Sequence, residues 1–209
     1  MLLGVLATHF AAMAQQYQHG LICDTMRYHI SMREHLFWND INMSHQDEPQ
    51  ELTHLSADGE ARMVDISMKE ATHRSAAASA IVQLTAKAFT ALQRGELKKG
   101  DALAVARIAG IMAAKDTSRI IPLCHPIPLS SIEVTFQLDE NTSQVMAHSV
   151  VSTYARTGVE MEALTAVSAA ALALYDMVKS VDKGCIIQEI ALISKTGGKS
   201  GDYQRTSLS

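Results

Sequence analysis

Apolar spacing outlines most of this chain from Leu52 onward. Val64-Asp65-Ile66-Ser67 reads as a short extended entry. Over 69–94 an Ala-rich run places Ile81, Leu84, Thr85, Ala88 and Leu92 at helical spacing and stops at Gly95, which predicts a first helix. Lys98-Lys99-Gly100-Asp101 is a basic turn in which Asp101 can cap a second helix, Ala102–Lys115. Pro122, Pro126 and Pro128 exclude regular helix from Ile121–Leu129. Ile132–Leu138 alternates as a strand, Asp139–Ser143 turns, and Gln144–Tyr154 alternates again, so the two strands form a hairpin. A helix over 160–180 closes at Asp182-Lys183-Gly184, and Ile186–Ser194 is a last strand. The predicted order is helix, helix, strand, strand, helix, strand. With a hairpin in the middle, the sheet is mainly antiparallel with helices on one face, an α+β layer fold.

Residues 1–51 have a different texture. Gln, His, Met and aromatic residues occur there without periodicity, and the single Trp, Trp38, lies among them. Met1–Ala14 is apolar but lacks the positive lead of a secretory signal. Met43-Ser44-His45-Gln46 resembles an ordinary bacterial start. The expectation is that Met43 initiates the chain, or that residues 1–51 are a dispensable extension ahead of a domain at 52–209.

Composition narrows the function classes. A chain of 209 residues suits one domain with a sizeable core, and with only 5% aromatic residues that core is built from Ala, Val, Leu, Ile and Met. A net charge of −4 gives no basic face for nucleic acid. Cys23, Cys124 and Cys185 are scattered, which suggests neither a zinc site nor a disulfide framework and fits a reducing cytoplasm. No run reaches the roughly 18 consecutive apolar residues of a membrane span, so no membrane partner is expected.

Four clusters carry candidate chemistry. Thr157-Gly158-Val159-Glu160-Met161-Glu162-Ala163-Leu164-Thr165 opens a helix that then stays uncharged until Asp176 and Lys179. Charges beside a packed apolar body lose water unless they are paired or used. Thr157 and Glu160 also fit a capping box, so Glu160 has a purely structural alternative. Leu123-Cys124-His125-Pro126 holds a His in a proline-stiffened loop. In extended chain the two neighbours point apart, which argues against a Cys124–His125 dyad and leaves a structural His open. Asp176 and Lys179, three apart, share a helix face as an ordinary ion pair or as proton-transfer groups. Lys195-Thr196-Gly197-Gly198-Lys199-Ser200-Gly201-Asp202 offers free amides and two lysines to phosphate oxygens, or is a flexible tail. It is no Walker A loop, since position 193 is Ile.

Taken in order, Arg107-Ile108-Ala109-Gly110-Ile111, Ile121–Pro126, Thr157–Thr165, Leu174–Lys179 and Lys195–Asp202 resemble the molybdenum cofactor biosynthesis protein C family. The resemblance runs from about Leu52 to Tyr203, with Arg156 standing where the family pattern has Lys. It implies a ferredoxin-like core and a homohexamer built as a trimer of dimers. It also implies a lyase that converts cyclised dihydro-GTP to cyclic pyranopterin monophosphate and diphosphate, acting second in molybdopterin synthesis. Carried onto this chain, the catalytic residues are Asp176, Lys179 and Lys99. Substrate contacts fall on Leu123, Cys124, His125, Met161 and Glu162, with Glu160, Arg74, Lys195 and Lys199 as further pocket positions. No cofactor is required and no resident metal is expected; Mg²⁺ is allowed only as a companion of the triphosphate.

The residue chemistry agrees with that assignment. A ring rearrangement closing a cyclic phosphate moves protons between N and O, work suited to carboxylates and amines of tuned pKa. Lysines and arginine stabilise departing diphosphate, and a Glu accepts from a guanine N–H edge. Two rivals remain: a non-catalytic nucleotide-binding regulator, and a Cys/His hydrolase using Cys124, His125 and His148, whose spacing fits no standard zinc pattern. Glu162 and Asp176 stand 14 residues apart, or about 21 Å along a regular helix. One compact pocket cannot easily draw both from one chain. The expectation is therefore a site shared across a dimer, with the apolar helix bodies packed antiparallel or else facing their own sheets.

Overall fold

The computed structural model describes residues 61–206; the expected N-terminal extension lies outside them. Its elements in chain order are β1 (Thr72–Gln83), α1 (Ala86–Gln93), α2 (Ala102–Lys115), the single turn α3 (Thr117–Ile120), β2 (Ser131–Asp139), β3 (Gln144–Ala155), α4 (Glu160–Val178), β4 (Ile186–Thr196) and β5 (Tyr203–Gln204). The strands form one sheet in the order β2-β3-β1-β4-β5, and each neighbouring pair is antiparallel. Setting aside α1, α3 and β5, this is a βαββαβ chain with α2 and α4 on one face, the ferredoxin-like α+β architecture.

One expectation fails outright. The helix expected over 69–94 is instead the central strand β1 followed by the short helix α1. Ala favours helix, but Ala76, Ala78, Ala80 and Val82 alternate with Ser75, Ala77, Ser79 and Ile81, and the first set is buried to 2% exposure or less. Small residues on both faces hide the period of two, and the tertiary setting overrides propensity. Thr85, expected on the apolar helix face, is the N-cap of α1, where Oγ1 accepts from the Ala88 amide at 3.3 Å.

Small residues are needed because α4 lies close upon the sheet. Ala163, Val167, Ala171 and Leu174 of α4 are fully buried and join the Ala and Val residues of β1 in one core. On its other flank α4 meets a stripe of α2, Ala102, Ala106, Gly110 and Ala114, repeating every four residues. A Cβ added at Gly110 would lie 2.8 Å from the main-chain oxygen of Ala166, so a larger residue would force the helices apart. Although α4 has the length and hydropathy of a membrane span, half of that window is buried in the core. Its apolar body faces its own sheet and α2, the second of the two placements that the sequence left open.

Besides Leu172 on α4, apolar side chains are exposed on α2 and β3. Val105, Ile108 and Met112 form an exposed outer stripe on α2, and Val150 and Tyr154 are exposed on β3. At one edge of the sheet the Arg107 Nε donates to the Val134 carbonyl of β2 at 3.0 Å, and its guanidinium sits 5.8 Å from the Phe136 ring centroid.

Candidate active site

The N-terminal end of α4 borders two cavities that share a wall. The smaller, about 300 Å³, is lined by Val64, Ile66, Leu123, Cys124, His125, Met161 and Glu162 together with the shared residues Lys69, Thr157, Gly158 and Glu160. It thus collects Leu123, Cys124, His125, Met161 and Glu162, all expected to contact the substrate: the proline-stiffened loop on one side and the first turn of α4 on the other. Cys124 and His125 line it together because the loop turns there, with the Cys124 amide bonded to the Ile121 carbonyl at 3.1 Å, so strand alternation does not separate them.

Glu162 is 5% exposed, and burial pushes its carboxyl up to about 7, helped by the charge of Glu160 and opposed by its own backbone amide. Burial also raises the Cys124 thiol, with Glu162 adding to the effect, so it stays protonated and is no ready nucleophile.

The larger cavity, about 740 Å³, is lined by cations from four segments: Lys69, Arg74, Arg156, and Lys195 with Lys199. Arg74 at the start of β1 is held by its Nε to the Ala155 carbonyl at 3.1 Å and by Nη2 to the Arg156 carbonyl at 3.4 Å. Gly198 has a φ of +86° and lies against this guanidinium, where any side chain would collide with it. The glycine-rich segment is no loose tail: the Gly197 amide bonds Asp202 Oδ1 at 3.1 Å, and β5 pairs with β4 just beyond. Lys195 reaches Glu160 Oε1 at 3.2 Å and Ser200 Oγ at 3.0 Å.

The capping box that Thr157 and Glu160 offered as a structural alternative is not formed. Val159 is the N-cap of α4 and has no side-chain cap bond. With no side chain at Gly158, the Glu160 carboxylate folds back over that position and meets Lys195.

The cluster expected to be catalytic stands at the far end of the same helix. Asp176 Oδ2 accepts from Lys99 Nζ at 2.6 Å and Oδ1 from Lys179 Nζ at 2.8 Å, while Lys99 also bonds the Asp176 main-chain oxygen at 2.8 Å. The tight turn before α2 carries Lys99 to this point, with Gly100 amide on the Leu97 carbonyl at 3.0 Å. The two ammonium groups, Lys179 first and then Lys99, hold the Asp176 carboxyl down to about 2, and Asp176 in turn raises Lys179. Their positive charge also suits the C-terminus of α4.

The single chain therefore brings the positions expected to contact substrate into two adjoining cavities but leaves the Asp176 cluster apart from them. From Glu162 to Asp176 along α4 is about 21 Å. Sequence reasoning missed Lys69, which lines both cavities, and gave Arg156 no place in the site. The turn before Lys69 was legible, since Asp65 and Ser67 have the spacing of an Asx turn and the Ser67 amide bonds Asp65 Oδ1 at 2.8 Å, but it carried no signal for Lys69 itself. Among the described residues, no group of three or more His, Cys, Asp or Glu side chains is placed to hold a metal ion.

A buried carboxyl beside a cation-lined cavity on a ferredoxin-like core suits an anionic ligand with a hydrogen-bonding end. The chain belongs to the MoaC family, whose model matches residues 63–198. It is 51% identical over 158 residues to the cyclic pyranopterin monophosphate synthase of Peptoclostridium acidaminophilum, covering 76% of this chain and 99% of that protein. The proteins of the same name from Heliobacterium modesticaldum and Nostoc sp. are each 54% identical, over 74% and 73% of this chain and 97% and 90% of theirs.

Proposed function

We propose that this chain is a cyclic pyranopterin monophosphate synthase, a lyase of molybdenum cofactor biosynthesis. It converts cyclised dihydro-GTP to cyclic pyranopterin monophosphate and releases diphosphate. The observation that carries the reading is the pair of cavities joined at Lys69, Thr157, Gly158 and Glu160, one with a buried carboxyl and the other with five cationic side chains. A guanine-derived ring fits the first and a triphosphate the second.

In this reading Glu162, when ionised, accepts from the N–H edge of the base, and His125 and the main chain of Leu123–Cys124 fix its orientation. Arg74, Lys69, Lys195 and Lys199 hold the triphosphate and neutralise the departing diphosphate as the cyclic phosphate closes. Mg²⁺ enters only with the polyphosphate, and the compartment is the cytoplasm. Asp176 is ionised at neutral pH, so it does not deliver protons from this resting state. It holds Lys99 and Lys179 as charged donors, and phosphates that draw those lysines away return it toward an ordinary carboxylate able to accept a proton.

The Asp176 cluster reaches the cleft from a second subunit, so that a dimer, within a hexamer of three dimers, is the smallest active unit. Since the α4 body is buried, the α2 stripe and the open face of the sheet are the surfaces available for that assembly. The direct test of function is incubation of the protein with the cyclised dihydro-GTP, followed by detection of cyclic pyranopterin monophosphate and diphosphate. Absence of both products from folded protein overturns the reading. The shared site is tested by mixing inactive Glu162→Ala and Asp176→Ala proteins under subunit exchange. Recovered activity is expected, and none despite demonstrated exchange would remove the shared site.

A further inference from the structure

Segment 64–70 lines both cavities and contributes Lys69 to the wall they share, yet little ties it to the body of the fold. Val64 and Ile66 are half-buried while Ser67, Met68, Lys69 and Glu70 are exposed. Its internal bonds are local: the Ser67 amide to Asp65 Oδ1 at 2.8 Å and the Lys69 amide to the Ile66 carbonyl at 3.1 Å. Among the described residues, the hydrogen bond joining it to the rest is Arg156 Nη1 to the Ser67 carbonyl, at 2.8 Å. Arg156 is itself fixed, because the Arg74 guanidinium holds the Ala155 and Arg156 carbonyls.

We propose that Arg156 is a positioning residue that latches segment 64–70 through Ser67, so that Lys69 stands in the shared wall and the polyphosphate end is formed before substrate arrives. The inference rests on the function proposed above for the identity of the ligand. Arginine can do this because its fork carries five donors: with one Nη1 hydrogen on Ser67, others remain uncommitted at the edge of the cavity that Arg156 lines. A lysine at the same position presents one ammonium and cannot keep both engagements in a fixed geometry. The latch is thus particular to a chain with Arg at 156, where the resemblance described above would place Lys.

The test compares Arg156→Lys and Arg156→Ala in the full chain, using diphosphate as the ligand. Hydrogen exchange of the ligand-free proteins is expected to speed up about tenfold at residues 66–70 in both variants, with β1 and α4 unaffected. Diphosphate affinity is expected to fall about tenfold in Arg156→Lys, where charge is kept and only the latch is lost. With substrate, KM rises by a similar factor while kcat stays within about twofold. In a Lys69→Ala background the Arg156→Lys change is expected to add little, since the residue being positioned is gone. Unchanged exchange at 66–70 in Arg156→Lys overturns the proposal. So does a loss of diphosphate affinity that is equally large with and without Lys69. Exchange and diphosphate binding need no turnover, so protein that passes both but makes no product refutes the assigned reaction and not the latch.

Discussion

The two ends of α4 carry carboxylates that the fold treats in opposite ways. Glu162, in the first turn, is buried among the site loops, and burial pushes its carboxyl up to about 7. Asp176, in the last turn, is half exposed between two lysines that hold its carboxyl down to about 2. One helix therefore presents a group that titrates near neutrality and another that is ionised at any physiological pH. Burial without a counter-ion makes the first, and counter-ions without burial make the second. The contrast separates two tasks: Glu162 can change its hydrogen-bonding role as a substrate binds, whereas Asp176 is a fixed anion whose use lies in the two ammonium groups it holds.

The contrast breaks most severely at the exposed end. Asp176→Asn is expected to lower turnover by roughly a thousandfold or more while leaving the melting temperature nearly unchanged, because the cluster lies outside the packed body. Lys99→Ala and Lys179→Ala follow the same pattern, and near-normal product formation by any of the three removes it from the mechanism.

At the buried end the expected signature is in stability. The folded state holds the Glu162 proton more tightly than the unfolded chain does, so its favourable contribution is complete below the ordinary carboxylate pKa. That contribution is lost as pH rises through about 7. Glu162→Gln should therefore match the parent near pH 4 and exceed it by roughly 2 kcal/mol above pH 8, read by denaturant unfolding. The same substitution should flatten a rise of kcat/KM with pH through about 7, the direction expected if the ionised form binds the N–H edge.

A test between the two ends is Gly110→Ala. Pressing a methyl onto the middle of α4 is expected to cost about 1–3 kcal/mol. If the helix shifts as one body, activity also falls, although Gly110 touches neither cluster. The smallest effect sharpens the cause of the Glu162 shift: Glu160→Gln should move its midpoint slightly downward, since desolvation outranks the Glu160 charge. A large fall, measured by NMR titration, would mean that the neighbouring charge and not burial is in control.

The sequence spoke clearly where period and punctuation agreed. Asp101 caps α2, whose bounds match the predicted ones, and the Asp139–Ser143 turn joins the expected hairpin strands. It misled at β1, where alanine on both faces erases the alternation that marks a strand and suggested a helix instead. The site was legible as motifs rather than as geometry. Leu123–His125 and Met161–Glu162 do share one cavity, and Arg74, Lys195 and Lys199 share the other. Nothing in the spacing of Thr157 and Glu160 revealed that Lys195, from a distant strand, would claim the Glu160 carboxylate. Lys69 was overlooked because a lysine after an irregular segment looks like any solvated surface charge; only the cavities around it give it a role.

Gly110 also constrains how this chain can drift. The obstacle to a side chain there is the main-chain oxygen of Ala166, which is present whatever residue occupies 166. A clash between two side chains can be relieved by shrinking the partner, as would be possible against Ala170 or Val134, each 3.3 Å from the added atom. A clash with backbone has no such second-site remedy. Neutral substitution can wander over the rest of the α2–α4 seam by trading volume across it, but position 110 has no local partner with which to trade.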